Sequence, residues 1–173
     1  MDSPTPDRSS FELVEVASPA DLEDARTLFR AYASEFADWL AETLRYQSFD
    51  AEVAGLPGRY APPLGGFLLA RDGGIPAGCV ALRALGVDTC EMKRLYVAPA
   101  YRGQDLGMRL VEAVIDLARR LGHRRIVLDT LPEMRGAISL YRSLGFIEIP
   151  AYWDNPIERS LFFEKILIDE ASA

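Results

Sequence analysis

The residues whose types and spacing could do chemistry are concentrated in one short loop, from Arg102 to Met108. The loop follows an apolar run that ends at Pro99, and it precedes a long amphipathic segment that predicts a helix. Gly103 and Gly107 allow a tight turn between strand and helix. A strand–loop–helix unit of this kind presents free backbone N–H groups at the positive end of the helix dipole. The loop is therefore predicted to bind a phosphate or a pyrophosphate.

A second segment, Leu140 to Phe146, strengthens this interpretation with the sequence Leu-Tyr-Arg-Ser-Leu-Gly-Phe. Together the two segments resemble the GCN5-related N-acetyltransferases, in which a strand ending in Val-x-Pro precedes the pattern Arg/Gln-x-x-Gly-x-Gly/Ala. The resemblance covers roughly Phe11 to Leu167, although the segment from Phe36 to Pro63 carries little of it. Two positions depart from the family pattern: Asp105 stands where the family usually has glycine, and Met134 where it often has asparagine.

The resemblance implies that the loop binds the pyrophosphate of acetyl-CoA through its backbone N–H groups, with Arg102 adding positive charge and with no metal involved. It also implies that backbone N–H groups of the preceding strand polarise the acetyl carbonyl. A carboxylate at Asp105 is expected to weaken binding of the pyrophosphate without abolishing it. The implied cofactor-binding residues are Leu95, Tyr96, Val97, Arg102, Gly103, Gln104, Asp105, Leu106, Gly107 and Met108.

Two residues are implied as proton carriers in a direct transfer of the acetyl group to an amine. Tyr141 matches the family's tyrosine and would protonate the departing thiolate. Glu91 lies in the strand that leads to the loop, and some family members use a strand glutamate as the base, often through water. Each residue has a structural alternative, a tyrosine packed on the sheet and a solvated strand glutamate. Neither Cys79 nor Cys90 has a basic residue predicted beside it, so no covalent acetyl-enzyme is expected.

The acceptor pocket is expected between the second helix and the loop of prolines and glycines that follows it. Aromatic residues are the candidates for its walls, although each could equally pack in the core. Lys93 and Arg94 could hold a carboxylate, which would suit an amino-acid-like acceptor, but surface charge explains them equally well. The predicted substrate-binding residues are Tyr46, Phe49, Tyr60, Lys93 and Tyr152, with Trp153 beside the last of them.

Hydrophobic periodicity and turn residues predict the elements that position these groups. The first strand is expected at Phe11–Val16, a helix follows the capping residue Ser18, and a second helix runs from Asp38 to about Val53. The glycines of Asp72-Gly73-Gly74 predict a hairpin. The further strands are predicted at Gly66–Arg71, Ile75–Arg83, Cys90–Val97, Arg125–Thr130, Phe146–Ile149 and Leu161–Leu167, with helices after the loop and after Pro132.

The predicted order β-α-α-β-β-β-α-β-α-β-β gives an α/β fold. The resemblance implies a mixed, mostly antiparallel sheet of about seven strands with helices on both faces. It further implies a wedge where the parallel strands Cys90–Val97 and Arg125–Thr130 splay apart to admit the pantetheine arm. We expect a flexible N-terminal tail over residues 1–10, followed by a single acyl-CoA N-acyltransferase domain over residues 11–173.

The composition restricts the partners and the compartment. The chain has 173 residues, of which 49% are hydrophobic and 26% charged, as in a globular domain. A net charge of −7 argues against a nucleic-acid partner. No apolar run is long enough to predict a membrane span, and the first ten residues lack the apolar segment of a signal peptide. The two cysteines are expected to be buried free thiols of a cytoplasmic protein.

The leading interpretation is a cytoplasmic, acetyl-CoA-dependent N-acetyltransferase that acts on the amine of a small molecule. A homodimer is left open. One alternative is a non-catalytic acyl-CoA-binding sensor or interaction domain, in which Asp105 and Met134 mark a degenerate site. The other is a protein N-terminal or lysine acetyltransferase, because the residues that hold the cofactor do not distinguish acceptors.

Overall fold

The computed structural model describes residues 11–168, except for the side chain of Tyr46. The predicted tail, 1–10, lies outside the described residues. Among the described residues, no helix combines the length and the apolarity needed to cross a membrane. The strands are β1 (Phe11–Glu15), β2 (Gly66–Asp72), β3 (Ile75–Ala84), β4 (Thr89–Val97), β5 (Arg125–Thr130), β6 (Ile147–Ile149) and β7 (Leu161–Ile166). The α-helices are α1 (Pro19–Glu35), α2 (Ala37–Tyr46), α3 (Phe49–Ala54), α4 (Leu106–Arg120) and α5 (Arg135–Ser143).

The strands form a seven-stranded sheet in the order β1-β2-β3-β4-β5-β7-β6. Only β4 and β5 pair in parallel, because α4 connects them as a crossover, and the other described pairs are antiparallel. The predicted α/β fold with a mixed, mostly antiparallel sheet is confirmed.

Alternating side chains of the central strands build a core on each face of the sheet. In β2, Leu68 and Ala70 pack with α4 and α5, whereas Phe67 and Leu69 pack with α1, α2 and α3. Helices therefore cover both faces, as expected.

The segment between α1 and β2 differs from the sequence-based expectation. A single helix from Asp38 to Val53 was expected, but Ser48 adopts the left-handed conformation at φ 54° and separates α2 from α3. A left-handed residue cannot continue an α-helix, so the chain changes direction there. The turn places α3 against α2, and the 3-10 turn that follows, Gly58–Tyr60, against β3.

Tight packing fixes this 3-10 turn against the sheet at Gly65. A Cβ at this position would lie 2.8 Å from the carbonyl oxygen of Arg59 and 2.9 Å from that of Leu82. Only glycine lets the two backbones approach so closely. The turn that carries Arg59 and Tyr60 is therefore held in a defined position beside β3.

A bulge interrupts β4 at Arg94, which lies in the left-handed region at φ 58°. Ala81 pairs with Lys93 and Cys79 with Tyr96, so β4 contains one residue more than β3 over this stretch. An extra residue shifts the alternation of side chains by one position. Cys90 and Met92 accordingly pack with α4, whereas Tyr96 packs on the opposite face with α1.

The parallel pair β4–β5 opens into a wedge immediately before this bulge. Pairing extends only from Thr89 and Arg125 to Glu91 and Val127, although both strands continue beyond these residues. Backbone groups on the facing edges of the two strands are therefore left without partners in the sheet. The predicted splay of these two strands is confirmed, and the wedge lies at their carboxyl ends, where open α/β sheets bind ligands.

Candidate active site

A groove about 580 Å³ in volume runs along the start of α4. We call it the loop groove. One wall comes from β4 and the glycine loop, and the other comes from the start of α5. Its lining residues are Phe36, Trp39, Leu95, Tyr96, Val97, Tyr101, Arg102, Gly103, Asp105, Leu106, Gly107, Met108, Glu133, Met134, Arg135, Gly136, Ala137 and Leu140.

The N-terminus of α4 points its first turn into the loop groove. Leu106, Gly107 and Met108 line the groove, and N–H groups in the first turn of a helix have no intrahelical acceptor. The helix has 15 residues, so the partial positive charge of its dipole is fully developed there. Gly103 and Asp105 adopt φ values of 74° and 60°, which turn the chain from strand to helix. The arrangement suits an anion such as a pyrophosphate.

The wedge between β4 and β5 contains a narrow cavity of about 70 Å³, the wedge cavity. Tyr141 lies on it, and its ring packs against Phe146 and Phe163 at centroid distances of 5.8 and 6.2 Å. Burial, with smaller contributions from the neighbouring Tyr32 and Asp129, raises the pKa of the Tyr141 hydroxyl, which stays protonated at neutral pH. The lining residues are Tyr32, Leu40, Thr43, Gln47, Met92, Lys93, Arg94, Leu95, Leu128, Asp129, Thr130, Leu131, Met134, Ala137, Tyr141 and Ser160.

A third cavity, of about 480 Å³, lies between α3, the 3-10 turn and β4. We call it the side cavity. Its lining residues are Gln47, Ser48, Ala51, Glu52, Gly55, Pro57, Gly58, Arg59, Tyr60, Arg83, Lys93, Arg94 and Trp153.

Each neighbouring pair of cavities shares lining residues, so the three cavities form a series. Leu95, Met134 and Ala137 line both the loop groove and the wedge cavity. Gln47, Lys93 and Arg94 line both the wedge cavity and the side cavity. The wedge cavity thus separates an anion-binding groove from a second chamber, which is the arrangement that a transfer between two bound molecules requires.

Comparison with known proteins identifies the family to which this architecture belongs. The acetyltransferase (GNAT) family model matches residues 23–146. An uncharacterized N-acetyltransferase of Schizosaccharomyces pombe is 40% identical over 156 residues, which cover 89% of this chain and 93% of the relative. The chain belongs to the GNAT acetyltransferase family. It is accordingly an acyltransferase enzyme.

Solved structures share the same fold. An acetyltransferase from Streptococcus agalactiae superposes with a TM-score of 0.74 at 23% identity, over 92% of this chain and 99% of that one. The PaiA N-acetyltransferase from Thermoplasma acidophilum, solved in complex with coenzyme A, superposes with a TM-score of 0.68 at 20% identity, over 91% and 99% of the two chains.

The GNAT loop predicted from the sequence lines a single groove in the structure. Every predicted cofactor-binding residue except Gln104 contributes to the loop groove, and the Gln104 amide instead donates to the carbonyl of Ala100 at 3.3 Å. The structure also adds residues that sequence reasoning missed, because they come from other elements. Arg135 at the start of α5 supplies a cation, and Phe36 stacks on Trp39 at 5.9 Å on the wall near α1.

Arg102 has a side-chain partner within the protein, the carboxylate of Glu35. Its guanidinium forms an ion pair with Glu35 at 2.7 Å, and its Nε donates to the carbonyl of Val97 at 3.0 Å. The Tyr96 hydroxyl donates to the same glutamate at 2.8 Å. The Arg102 hydrogen bond lowers the pKa of Glu35, so the pair is ionised at neutral pH. Arg102 therefore ties the loop to the end of α1 while it lines the loop groove, and its added charge for the pyrophosphate stays a prediction.

The predicted base, Glu91, is enclosed rather than presented to a cavity. Its side chain is 1% exposed, and its carboxylate accepts from Arg83 Nη2 at 2.7 Å and from the Tyr152 hydroxyl at 2.5 Å. It is absent from the linings of the wedge and side cavities. Asp129, which sequence reasoning missed, lies in the wedge cavity. An acidic residue near the carboxyl end of β5, where the two strands were expected to splay apart, is the sequence feature that could have indicated Asp129.

The predicted acceptor residues separate into two groups. Tyr60 and Lys93 line the side cavity, and so does Trp153. Phe49 is instead buried in the core, where the Arg94 guanidinium lies 5.2 Å from its ring centroid, and Tyr152 is bound to Glu91. The Tyr46 side chain lies outside the described residues, although α2 carries it. The expected wall of aromatic side chains is therefore replaced largely by charged ones.

Replacing Asp105 by glycine should tighten binding of coenzyme A. The carboxylate lines the loop groove at the helix N-terminus, and repulsion of a pyrophosphate at an exposed position is worth about 1 kcal/mol. The left-handed backbone at φ 60° suits glycine equally well. We expect the Kd to fall about fivefold, measured by calorimetry at low salt, with a smaller gain at high salt. Asp105→Asn removes the charge alone, so equal Kd values for all three proteins would refute the repulsion.

Proposed function

We propose that this protein is an acetyl-CoA-dependent N-acetyltransferase that transfers the acetyl group directly to the amine of a small molecule. The observation that carries the proposal is the arrangement of the loop groove, wedge cavity and side cavity as neighbours that share lining residues, with Leu95 and Tyr141 lining the wedge cavity. The anion end of the loop groove fits the pyrophosphate of coenzyme A, and a protein of the same fold has been solved with coenzyme A.

The residues at the wedge fit the chemistry of this donor. When bound, acetyl-CoA would supply a thioester, whose C–S bond breaks as the new C–N bond forms. Leu95 lies beside the bulge, on the edge of β4 that faces away from β3 and has no partner in β5. Its backbone N–H is the donor that we propose for the thioester carbonyl. A donor fixed in a strand needs no reorganisation as negative charge develops on the oxygen.

Two protons must move in this reaction, and the wedge cavity offers one residue for each. We assign the acid to Tyr141, whose protonated phenol would donate to the departing thiolate. We assign the base to Asp129, whose carboxylate would accept the proton of the attacking amine, directly or through one water. Lys93 Nζ lies 3.4 Å from Asp129 Oδ1, while Trp153 and Asn155 donate to Oδ2 at 3.1 and 3.3 Å. These contacts fix the orientation of the carboxylate.

A small molecule is favoured over a protein by the construction of the side cavity. The chamber is bounded by α3, the 3-10 turn and β4, and Gly65 holds the turn close to the sheet. The chamber's volume of about 480 Å³ is in the range of small-molecule sites. The two buried cysteines, Cys79 and Cys90, form no disulfide, which suits the cytoplasmic setting that we include in the proposal.

Release of free thiol from acetyl-CoA, measured across a panel of acceptors, tests the proposed function. The panel contains amino acids, polyamines, arylalkylamines and peptides with free N-termini, and calorimetry measures coenzyme A binding to the same preparation. We expect saturable turnover with small amines. Binding of coenzyme A without thiol release from any acceptor would favour the sensor. Peptides that exceed every small amine in kcat/KM would favour a protein acetyltransferase.

A further inference from the structure

We propose that the acceptor carries a carboxylate a few bonds from its amine, and that Arg94, assisted by Lys93, binds this carboxylate where the side and wedge cavities meet. The inference rests on the proposed N-acetyltransferase function, and it adds the chemical class of the acceptor and the residue that selects it.

The bulge in β4 directs two consecutive cations into the same place. In a regular strand, adjacent side chains point to opposite faces of the sheet. The extra residue at Arg94 breaks this alternation, and Lys93 and Arg94 both line the side cavity and the wedge cavity. Bulges are frequent beside active sites because they re-aim a side chain in this way. A left-handed φ of 58° is uncommon for arginine, which indicates that the surrounding structure imposes the conformation.

The Arg94 guanidinium has an unsatisfied donor. Its side chain is 4% exposed, and its Nε donates to Glu52 Oε2 at 2.8 Å. Within residues 11–168, Nη2 has no hydrogen-bond partner, although the Tyr32 hydroxyl lies beside the guanidinium and Tyr32 also lines the wedge cavity. Buried N–H groups of a charged side chain are rarely left without an acceptor, because the lost hydration is not replaced. A carboxylate oxygen of the acceptor would complete the guanidinium's contacts with a charge-assisted hydrogen bond.

A second unsatisfied group, a hydrogen-bond acceptor, belongs to a residue that lines the same two cavities. Gln47 also lines both cavities, and its side-chain oxygen Oε1 is buried without a donor in the described part of the chain. An amine or ammonium group supplies the donor that this oxygen lacks. The two cavities thus share an unsatisfied hydrogen-bond acceptor, on Gln47, and an unsatisfied cationic donor, on Arg94. A molecule that carries both an amine and a carboxylate would satisfy the two groups.

The charges of the side cavity favour an anionic acceptor. Its lining holds one carboxylate, Glu52, and four cations, which are Arg59, Arg83, Lys93 and Arg94. Arg83 pairs with Glu91 and Lys93 with Asp129 behind the lining, so the cations outnumber the carboxylates even when these partners are included. The whole chain has a net charge of −7, so the cations are concentrated locally. An excess of positive charge in a cavity raises the local concentration of an anionic ligand.

A carboxylate fits this site better than a phosphate. Glu52 occupies one side of the guanidinium and also accepts from the Tyr60 hydroxyl at 2.5 Å. A second anion must therefore lie near an existing carboxylate. The repulsion grows with the ligand's charge, so it is weaker for a monoanion than for a dianionic phosphate.

The test compares an amino acid with its own carboxamide as acceptors in wild-type protein and in Arg94→Gln. For each protein we take the kcat/KM of the amino acid divided by that of its carboxamide, called the acid-to-amide ratio. The two acceptors differ in amine pKa, but this difference affects both proteins equally and cancels when their ratios are compared. We expect Arg94→Gln to lower this ratio about ten- to a hundredfold, the worth of a hydrogen bond to a charged group. The kcat/KM of the carboxamide should change less than about threefold in Arg94→Gln. Arg94→Lys keeps the positive charge and should therefore retain part of the wild-type acid-to-amide ratio.

Glu52→Gln separates ligand binding from disruption of the Arg94–Glu52 pair. If the pair matters only for structure, this variant should reproduce the loss caused by Arg94→Gln. If Arg94 binds the acceptor's carboxylate, removing the competing Glu52 charge should raise the acid-to-amide ratio or leave it unchanged. The surface variant Arg119→Gln removes a cation that pairs with Asp116 on α4. It should leave kcat/KM unchanged for both acceptors.

Calorimetric binding of the N-acetyl amino acid and its carboxamide gives a readout that does not need turnover. Turnover of both acceptors with the same ratio in wild type and Arg94→Gln would overturn the carboxylate site and leave the proposed function intact. Absence of turnover with any amine would refute the proposed function. In that case, selective binding of the acid that is lost in Arg94→Gln would support the carboxylate site, and equal binding of acid and amide would refute it.

Discussion

Replacing Tyr141 by phenylalanine should lower kcat about a hundredfold and leave the KM for acetyl-CoA within about threefold of wild type. General acid catalysis by a positioned side chain is typically worth 10²–10⁴ in rate. Burial raises the pKa of this phenol, so the group is protonated throughout the working pH range. The ring contacts with Phe146 and Phe163 remain in the variant, and cofactor binding should therefore survive. Steady-state kinetics with the best acceptor of the panel measures both constants.

A change of leaving group distinguishes proton donation from packing. An ordinary thiol has a pKa near 8.5 and needs protonation as it departs. An acetyl thioester of a more acidic thiol needs it less, so Tyr141→Phe should lose less rate with that donor than with acetyl-CoA. An equal loss with both donors, or a loss accompanied by a large fall in Tm, would indicate that Tyr141 acts through packing alone.

The loop from Arg102 to Met108 could be predicted from the sequence because its geometry is local. Its glycines lie within the turn itself, and the strand before it and the helix after it are continuous in the chain. The same is true of the Leu140 to Phe146 segment, which places Tyr141 on α5. Local signals of this kind need no knowledge of how distant strands pair.

The bulge at Arg94 and the break at Ser48 could not be predicted in the same way. A bulge exists only relative to the partner strand, here through the pairing of Ala81 with Lys93 and of Cys79 with Tyr96. Neither Arg94 nor Ser48 is a glycine or an asparagine, the residues that usually indicate a left-handed conformation. The side cavity depends on both features, because one directs its cations and the other positions α3. Sequence reasoning therefore predicted the geometry of the loop groove better than that of the side cavity.

The register of the strands also explains why sequence reasoning indicated Glu91 as a candidate base and missed Asp129. Both are acidic residues in neighbouring strands, and the sequence does not show where the pairing of β4 with β5 stops. Pairing ends at Glu91, which therefore stays inside the sheet with Arg83 and Tyr152 around its carboxylate. Asp129 lies two residues beyond Val127, the last residue of β5 that pairs with β4, at the point where these two strands have separated.

Replacing Asp129 by asparagine should lower kcat/KM for the acceptor a hundredfold or more near pH 7, in the range of a lost general base. The amide keeps nearly the same shape and an oxygen for Trp153 Nε1, so the cavity should survive, as coenzyme A binding and Tm can verify. The deficit should shrink as the pH rises above the pKa of the acceptor amine, because a neutral amine no longer has to lose a proton before it attacks. A deficit that is independent of pH would indicate a positioning role instead.

Glu91→Gln is the matched control, because it removes the carboxylate of the other candidate base, which is buried to a similar degree. Its carboxylate binds Arg83 and the Tyr152 hydroxyl and is absent from the linings of the three cavities. We expect a lower Tm, because Arg83 and the half-buried Tyr152 lose a charged partner, with kcat/KM changed less than about threefold. If Glu91→Gln instead shows the large deficit that disappears at high pH, while Asp129→Asn does not, the base is Glu91. The pairing of β4 with β5 would then have to open further than Glu91 when acetyl-CoA binds.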